Sequence, residues 1–146
     1  PAASYGPNDC YDETKNHVIP ALIKKFHDAK INNKDNVTIW GSGKQKREFI
    51  HVDDMASGIV HILENYKENS PINLGTGQEY TIKDIAHTIK DVIGYKGNIT
   101  FDTSKPDGIK RKILDNKKLK KLQWQPKIII KDGIESAYQN FLKNEI

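Results

Sequence analysis

The chain has 146 residues, of which 36% are hydrophobic and 29% are charged, and its net charge is +4. This composition fits one folded domain with its own core and excludes a disordered chain. No apolar run approaches the ~18 residues that span a bilayer, and the first residues do not resemble a signal peptide. The single cysteine, Cys10, excludes an internal disulfide framework and favours a reducing compartment. We therefore expect a cytoplasmic protein with no membrane partner.

The positive net charge favours anionic partners such as nucleotides. The densest basic run, residues 117–121, is interpreted as the solvated face of a short helix with Leu119 and Leu122 inward. No zinc-finger spacing or basic–aromatic repeat is found, so we expect no nucleic-acid partner. The five histidines are scattered singly, and we expect no metal site.

The first half of the chain alternates helical and strand patterns. Apolar spacing predicts a helix over residues 16–29, with Pro20 in its first turn, where a missing N–H is tolerated. Residues 37–40 and 48–52 are predicted strands. A second helix is expected to be capped by Asp53. Its expected buried residues are Met55, Ile59, Ile62 and Leu63.

The second half continues the alternation, which is typical of an α/β fold. Residues 71–75 form a predicted buried strand. Thr81 and Asp84 have the spacing of a capping box for a helix that Gly94 ends. A strand over 98–101 and a turn over 104–108 follow. A short helix is predicted from Asp115 to before Trp124, and a last one carries apolar residues between 130 and 142.

Three short motifs suggest chemistry but are weak. Residues 41–44, Gly-Ser-Gly-Lys, mimic the end of a P-loop, but Gln45 replaces the Ser/Thr that would hold magnesium. Residues 75–77, Gly-Thr-Gly, lack the third glycine of a dinucleotide fingerprint, so a tight exit from the strand is favoured. His51, Asp53 and Asp54 could form a proton relay, but helix capping by Asp53 is preferred.

Five segments in order carry a resemblance to a known family. They are residues 5–7 (YGP), 17–29 (HVIPALIKKFHDA), 40–56 (WGSGKQKREFIHVDDMA), 72–86 (INLGTGQEYTIKDIA) and 101–115 (FDTSKPDGIKRKILD). Together they resemble the C-terminal part of the GDP-L-fucose synthase family, which belongs to the extended short-chain dehydrogenases. The resemblance implies an α/β substrate-binding domain over residues 1–146 that lacks most of the Rossmann domain. Residues 1–7 and 71–77 would complete the Rossmann sheet.

The resemblance also implies an activity for the whole enzyme. That activity is an NADPH-dependent 3,5-epimerisation and 4-reduction of GDP-4-keto-6-deoxymannose, which makes GDP-L-fucose. The family's glycine fingerprint, its catalytic Tyr-x-x-x-Lys pair and the neighbouring serine are taken to be absent here. We therefore expect this chain alone to be inactive. Relatives of this type are usually homodimers, so the whole enzyme is expected to be one.

Residue roles follow from the same resemblance. His17 is the implied acid that reprotonates the sugar ring, a task for which histidine is a common choice of side chain; a polar or capping role is the alternative. Pro1, Ala2, Ala3 and Ser4, together with His17, would contact NADP(H). These four residues replace the family's usual Pro-Thr-Asn-Leu, so the polar contacts of the threonine and asparagine are lost.

The remaining implied site residues bind substrate. Trp40 would line the pocket and Arg47 would bind the diphosphate, while Gly41 and Gly43 allow close backbone approach. Lys25 stands where the family has an arginine. Lys105 and Asp107 match a loop that closes over the nucleotide. The alternatives are core packing for Trp40, a surface salt bridge with Glu48 or another acid for Arg47, and a plain turn for Lys105 and Asp107.

Two other functions stay open at this stage. The chain could belong to an enzyme that acts on UDP or dTDP sugars. It could also be a non-catalytic interaction module of the same fold, whose basic surface binds a partner or nucleic acid. Arg47→Ala would then leave that binding intact.

Overall fold

The predicted alternation of helices and strands is present in the computed structural model, which describes residues 1–12 and 17–144. The helices are α1 (Val18–Ile31), α2 (Val52–Asn65), α3 (Ile82–Ile93), α4 (Lys117–Lys121) and α5 (Ile130–Asn144). The strands are β1 (Ala3–Tyr5), β2 (Asn36–Trp40), β3 (Lys46–Arg47), β4 (Phe49–His51), β5 (Tyr80–Thr81), β6 (Asn98–Asp102) and β7 (Arg111–Lys112).

The strands form three small sheets. β1 pairs in parallel with β4, and β2 pairs in parallel with β6 over five residues. β3 lies between β5, which is antiparallel to it, and β7, which is parallel to it. Parallel pairs need crossover connections, and helices provide them here. Strands that are distant in sequence therefore meet beside the first turn of α1.

The main core lies where α1, α3 and α5 pack together against β2. Its largest fully buried side chains come from these three helices: Ile19, Ile23, Phe26, Ile85, Ile89, Ile93 and Ile134. A smaller cluster contains Ile50, Leu74 and Leu119. Burial of apolar surface on this scale is the main force that holds the helices on the strands.

The third helix follows its local signals closely. The hydroxyl of Thr81 accepts a hydrogen bond from the Asp84 N–H, and the Asp84 carboxylate accepts one from the Thr81 N–H, which completes the predicted capping box. Gly94 ends the helix in the left-handed conformation, with φ of 71°. α1 begins at Val18, while residue 16, the predicted start, lies outside the described residues.

The start of α2 differs from the prediction. His51 is the N-cap, and its side chain accepts a hydrogen bond from the N–H of Asp53, so the prediction that Asp53 caps the helix is wrong. The reason is that Asp53 already lies in the first helical turn. His51 is 3% exposed, and its ring faces the Tyr5 ring edge-on. This arrangement gives His51 a structural role and does not support the relay.

The predicted buried face of α2 is correct for Met55 and Ile62, which are partly buried against the smaller cluster, and wrong for the other two residues. Ile59 is 44% exposed and Leu63 is 74% exposed. The fully buried residues are Asp54 and Gly58, and the missing side chain of Gly58 lets the helix approach Leu74 closely. The inward face thus combines Met55 and Ile62 with Asp54 and Gly58, and it excludes Ile59 and Leu63.

Two strand predictions need correction, and three short strands were not predicted. The strand predicted over 48–52 is limited to Phe49–His51, because Glu48 turns into the interior and α2 starts at Val52. Residues 71–75 form no strand, because their contact with the β1 segment is a single backbone hydrogen bond, from Ala2 N to Leu74 O. β3, β5 and β7, each two residues long, were not predicted.

The short basic helix α4 spans Lys117–Lys121, and its end before Trp124 is as predicted. Asp115 precedes it and accepts a hydrogen bond from Lys117 N, so the helix begins two residues later than predicted. Leu119 is 2% exposed and points inward, as the amphipathic pattern indicated. Within the described ranges, no helix combines the length and apolar character that crossing a bilayer requires.

Candidate functional site

A cleft of about 540 Å³ opens between the first turns of α1, the end of β2, β3 and the loop that follows β6. Seven of the ten residues that the sequence singled out line this cleft: Ala3, Ser4, His17, Lys25, Trp40, Arg47 and Asp107. Pro1 and Ala2 are not in its wall, and neither is Lys105. Residues that lie up to about a hundred positions apart in the chain therefore share one concave surface, which is the usual form of a small-molecule site.

His17 lies at one end of the cleft, immediately before α1. It is exposed, and its side chain makes no capping hydrogen bond, so the capping alternative is not supported. Its carbonyl oxygen accepts the first helical hydrogen bond, from Ala21 N at 2.9 Å. The backbone is thus held by the helix, while the imidazole stays available at the cleft.

Trp40 is the last residue of β2, and its ring is 70% exposed. The alternative of core packing is therefore wrong. Lys105 Nζ lies 5.7 Å from the centroid of the indole ring, a cation–π geometry. Lys105 thus contacts Trp40, which lines the cleft, although Lys105 does not line the cleft itself. The indole offers a flat surface at the cleft mouth, and the lysine brings a positive charge over it.

The loop after Trp40 is tied to the loop that contains Asp107. Asp107 Oδ1 accepts a hydrogen bond from Ser42 N at 2.5 Å, and Oδ2 accepts one from the Ser42 hydroxyl at 2.7 Å. These bonds hold the pKa of Asp107 below its ordinary value. Gly41 has a φ of 81°, and a β-carbon there would lie 2.6 Å from Asp107 Oδ1. Residues 104–108 are therefore a clamp on the first loop, not a plain turn.

Gly43 allows a second close approach. Its φ is 72°, and an added β-carbon would collide with the ring of Phe101 on β6. Its carbonyl accepts a hydrogen bond from Lys83 N at 2.9 Å. The missing side chains of Gly41 and Gly43 thus leave room for side chains of the protein itself, Asp107 and Phe101. The backbone N–H groups of Ser42 and Lys44 bond to protein oxygens, which supports rejection of a P-loop.

Arg47 lies on β3 in the middle of the cleft wall. Its Nη1 donates to the carbonyl oxygens of Lys46 at 2.8 Å and Ile109 at 2.7 Å, which orients the guanidinium. Within residues 1–12 and 17–144, Arg47 makes no ion pair, so the alternative of a salt bridge with Glu48 or another acid is wrong. Lys112 of β7 is in register with Arg47 and also lines the cleft.

Glu48 points away from the cleft and connects three segments. It is 3% exposed. Its Oε1 accepts from Gly77 N at 2.7 Å and from Asn116 Nδ2 at 3.0 Å, and its Oε2 accepts from Leu114 N at 2.9 Å. A β-carbon at Gly75 would collide with this carboxylate. The Gly-Thr-Gly segment over 75–77 is therefore shaped by Glu48, in agreement with a tight exit and not with a dinucleotide fingerprint.

Lys25 lies on the outer side of α1, where the cleft continues toward β2. Its Nζ donates a hydrogen bond to the carbonyl oxygen of Thr38 at 2.5 Å. The ammonium is thus held against the edge of β2, near the indole of Trp40, where it contributes positive charge to the cleft.

Two polar residues of the cleft were not among the predicted site residues. Lys112 was not considered because its strand, β7, is too short to give a pattern. Gln45 was considered only as a mismatch to a P-loop, yet it is 7% exposed, lines the cleft and donates to Asp107. The available signal was the spacing of Gln45 and Arg47, since alternate residues of an extended chain face the same side.

The spacing Tyr-x-x-x-Lys does occur once, from Tyr11 to Lys15, although the sequence analysis took it to be absent. Tyr11 is 5% exposed, and its hydroxyl donates to the Ala137 carbonyl at 3.2 Å. This hydroxyl is engaged in the core under α5 and does not line the cleft, while Lys15 lies outside the described residues. The Tyr11 match is therefore not a catalytic pair at the cleft.

The paired parallel strands and the cleft beside them define an α/β protein of the Rossmann-type epimerases and reductases. The sequence model of the NAD dependent epimerase/dehydratase family matches residues 1–75, and the chain belongs to this family.

Individual relatives show which members of the family the chain is similar to. The chain is 46% identical over 146 residues to the putative GDP-L-fucose synthase 2 of Arabidopsis thaliana, and covers 100% of itself and 44% of that protein. It is 46% identical over 154 residues to the GDP-L-fucose synthase of Escherichia coli K12, with 99% and 48% covered. A crystal structure of a GDP-L-fucose synthetase from Naegleria fowleri bound to NADP matches 98% of this chain and 45% of that one, with 33% identity and a TM-score of 0.91. The chain thus spans about half the length of these relatives.

Proposed function

We propose that this chain is the substrate-binding part of an NADPH-dependent GDP-4-keto-6-deoxy-D-mannose 3,5-epimerase/4-reductase, which produces GDP-L-fucose. The observation that supports this most directly is the shared cleft of His17, Trp40 and Arg47. A nucleoside diphosphate sugar needs a flat apolar surface, cations for its phosphates and an acid beside its sugar, and these three side chains have those properties.

In this proposal Arg47 binds the diphosphate. A guanidinium offers paired N–H donors that match phosphate oxygens, and the two carbonyl contacts of Nη1 fix its orientation before the ligand arrives. Lys112 adds a second cation from the neighbouring strand. Lys25 and Lys105 add charge near Trp40, whose ring covers the nucleotide.

His17 is proposed to act on the sugar. The C4 ketone acidifies the protons on C3 and C5, because the resulting anion delocalises onto oxygen. Epimerisation requires that a proton be returned to each carbon from the opposite face. The exposed imidazole of His17, held at the cleft by the start of α1, is suited to donate that proton.

The residues near His17 also fit one end of NADP(H). Ala3 and Ser4 line the cleft with His17, and the small side chain of Ala3 leaves room for a ring there. Pro1 and Ala2 are proposed to contribute from beyond the cleft wall, where Ala2 is held to Leu74. When bound, NADPH supplies the hydride that reduces C4 of the sugar. Tyr11, the tyrosine of the one Tyr-x-x-x-Lys spacing, is buried and does not line the cleft. We therefore propose that the chain alone does not catalyse turnover.

The setting of the whole enzyme is part of the proposal. We propose a homodimer in the cytoplasm that uses neither nucleic acid nor membranes. The single exposed cysteine, Cys10, is consistent with a reducing compartment.

A titration with nucleotides tests the proposed function. The chain is titrated with GDP, UDP and dTDP, and its melting temperature is followed, because a ligand that binds only the folded state raises it. A larger rise with GDP supports the proposal. A preference for UDP or dTDP would point to an enzyme acting on those sugars, and no rise with any of them would favour a non-catalytic interaction module.

A further inference from the structure

The side-chain nitrogen of Gln45 is hydrogen-bonded, whereas its side-chain oxygen has no partner among the described residues. Its Nε2 donates to the Asp107 carbonyl at 2.8 Å and to Asp107 Oδ1 at 2.9 Å. Its Oε1 is shielded from solvent and accepts no hydrogen bond from any part of the chain that the structure describes. Buried polar atoms of folded proteins are nearly always paired, so an unpaired acceptor in the wall of a binding cleft requires an explanation.

The position of Gln45 relative to Arg47 indicates which part of a ligand it would meet. Gln45, Arg47 and Phe49 are alternate residues of one run of chain, and all three line the cleft. At about 3.3 Å per residue, Gln45 and Phe49 lie about 7 Å from Arg47 on opposite sides. Phe49 is paired with Ala3 of β1, at the end of the cleft where the sugar and NADP(H) are proposed to bind. Gln45 is at the other end.

The end of the cleft that holds Gln45 also holds Trp40. Gly41 follows Trp40, and a β-carbon at Gly41 would lie 2.8 Å from Gln45 Nε2, so the indole loop and the amide are in close contact. In a nucleoside diphosphate sugar, the group on the far side of the diphosphate from the sugar is the ribose. Its hydroxyls are hydrogen-bond donors, and phosphates ionised at neutral pH offer none.

We infer that Gln45 is a specificity residue whose Oε1 accepts a hydrogen bond from a ribose hydroxyl of the nucleoside diphosphate bound in this cleft. The inference rests on the proposed function, and it adds the recognition of ribose by a named atom. The terminal torsion of a glutamine is soft. A rotation of the amide turns Oε1 toward the cleft while Nε2 keeps one of its two acceptors on Asp107.

The test compares ligands that differ only in the ribose hydroxyls. The affinities of GDP and 2′,3′-dideoxy-GDP for the full chain are measured by calorimetry. One hydrogen bond between neutral groups corresponds to a loss of about three- to tenfold in affinity for the dideoxy ligand. Equal affinity of the unsubstituted chain for both ligands overturns the inference, whatever the variants do. Failure to bind GDP at all overturns the proposed function itself.

Two variants assign the effect to Oε1. Gln45→Lys keeps a nitrogen donor for Asp107 but has no acceptor, and Gln45→Met is a neutral side chain that lacks both. Gln139→Lys adds the same charge on an exposed position of α5 and is the matched control. The loss for the dideoxy ligand should disappear in both Gln45 variants and persist in Gln139→Lys. A loss of the same size in a folded Gln45 variant means that another group binds the hydroxyls and overturns the inference.

Discussion

Ser42 donates both its backbone N–H and its hydroxyl to the carboxylate of Asp107, which lies 65 residues later in the chain. The two loops that border the Trp40 end of the cleft are therefore one unit. The shape of this end depends on an ionised carboxylate, because a protonated one would lose an acceptor position.

Asp107→Ala should loosen this unit without unfolding the core. The amide proton of Ser42 should then exchange faster with solvent, since its acceptor is gone, and GDP binding should weaken although Arg47 is untouched. Hydrogen exchange and calorimetry measure the two effects. Asp91→Ala on α3, which lies away from the cleft, is the control and should change neither. Unchanged exchange at Ser42 would contradict the clamp.

Arg47→Ala should weaken GDP binding by about 1–3 kcal/mol, the range for hydrogen bonds to a charged group. Arg47→Lys should recover part of the loss, because an ammonium keeps the charge but not the forked geometry. Arg111→Ala is the matched control, since Arg111 lies on the neighbouring strand β7 and pairs with Glu79 outside the cleft. Equal losses for Arg47→Ala and Arg111→Ala would mean that the effect is only one of overall charge.

His27 should make the stability of the fold fall at mildly acidic pH. The ring is 7% exposed, its Nδ1 lies 3.1 Å from the Tyr138 hydroxyl, and burial lowers its pKa. Lys30 and Lys24 lower this pKa further, while Asp28 opposes them. The unfolded chain therefore binds the proton more tightly. The contribution of His27 to the free energy of unfolding is fully present above about pH 6.5 and is lost as the pH falls below it.

Denaturant unfolding at a series of pH values measures this loss. The change His27→Gln should remove most of it, because the buried imidazole is no longer there to be protonated. His87→Gln, at an exposed position of α3, is the control and should leave it in place. A slope that survives in His27→Gln would assign the effect to other groups.

Glu48→Ala should destabilise the fold by about 3 kcal/mol, because it leaves buried donors without an acceptor. Glu48→Gln should cost less, since its amide oxygen can still accept from some of them. The free energy of unfolding in the absence of ligand is the measurement. Glu135→Ala, on the exposed face of α5, should change it by less than about 0.5 kcal/mol. A similar small change for Glu48→Ala would remove the structural role assigned to this carboxylate.

The parts of the fold that local chemistry determines could be predicted from the sequence. The capping box of Thr81 and Asp84 and the end of α3 at Gly94 depend only on neighbours in the chain. The capping of α2 could not be predicted, because the choice between His51 and Asp53 depends on where β4 ends. The exposure of Ile59 and Leu63 follows from the close approach of Gly58 to Leu74, a contact that no local pattern encodes.

The candidate site, too, could be predicted only in part. Trp40 and Arg47 were found through a resemblance, and the cleft contains both. The contacts that shape the cleft join distant segments, as Asp107 does with Ser42 and Glu48 does with Leu114. Two-residue strands such as β3 and β7 have no periodicity of their own, so the pairing that brings Lys112 beside Arg47 could not be foreseen.

A crystal structure of the chain with GDP tests the central claim most directly, because it locates the ligand without assuming its site. The account predicts a diphosphate within hydrogen-bonding distance of the Arg47 guanidinium and a nucleoside against the Trp40 ring, with His17 left open beside the free phosphate end. GDP bound at another surface, or bound here without contact to Arg47 and Trp40, would contradict it.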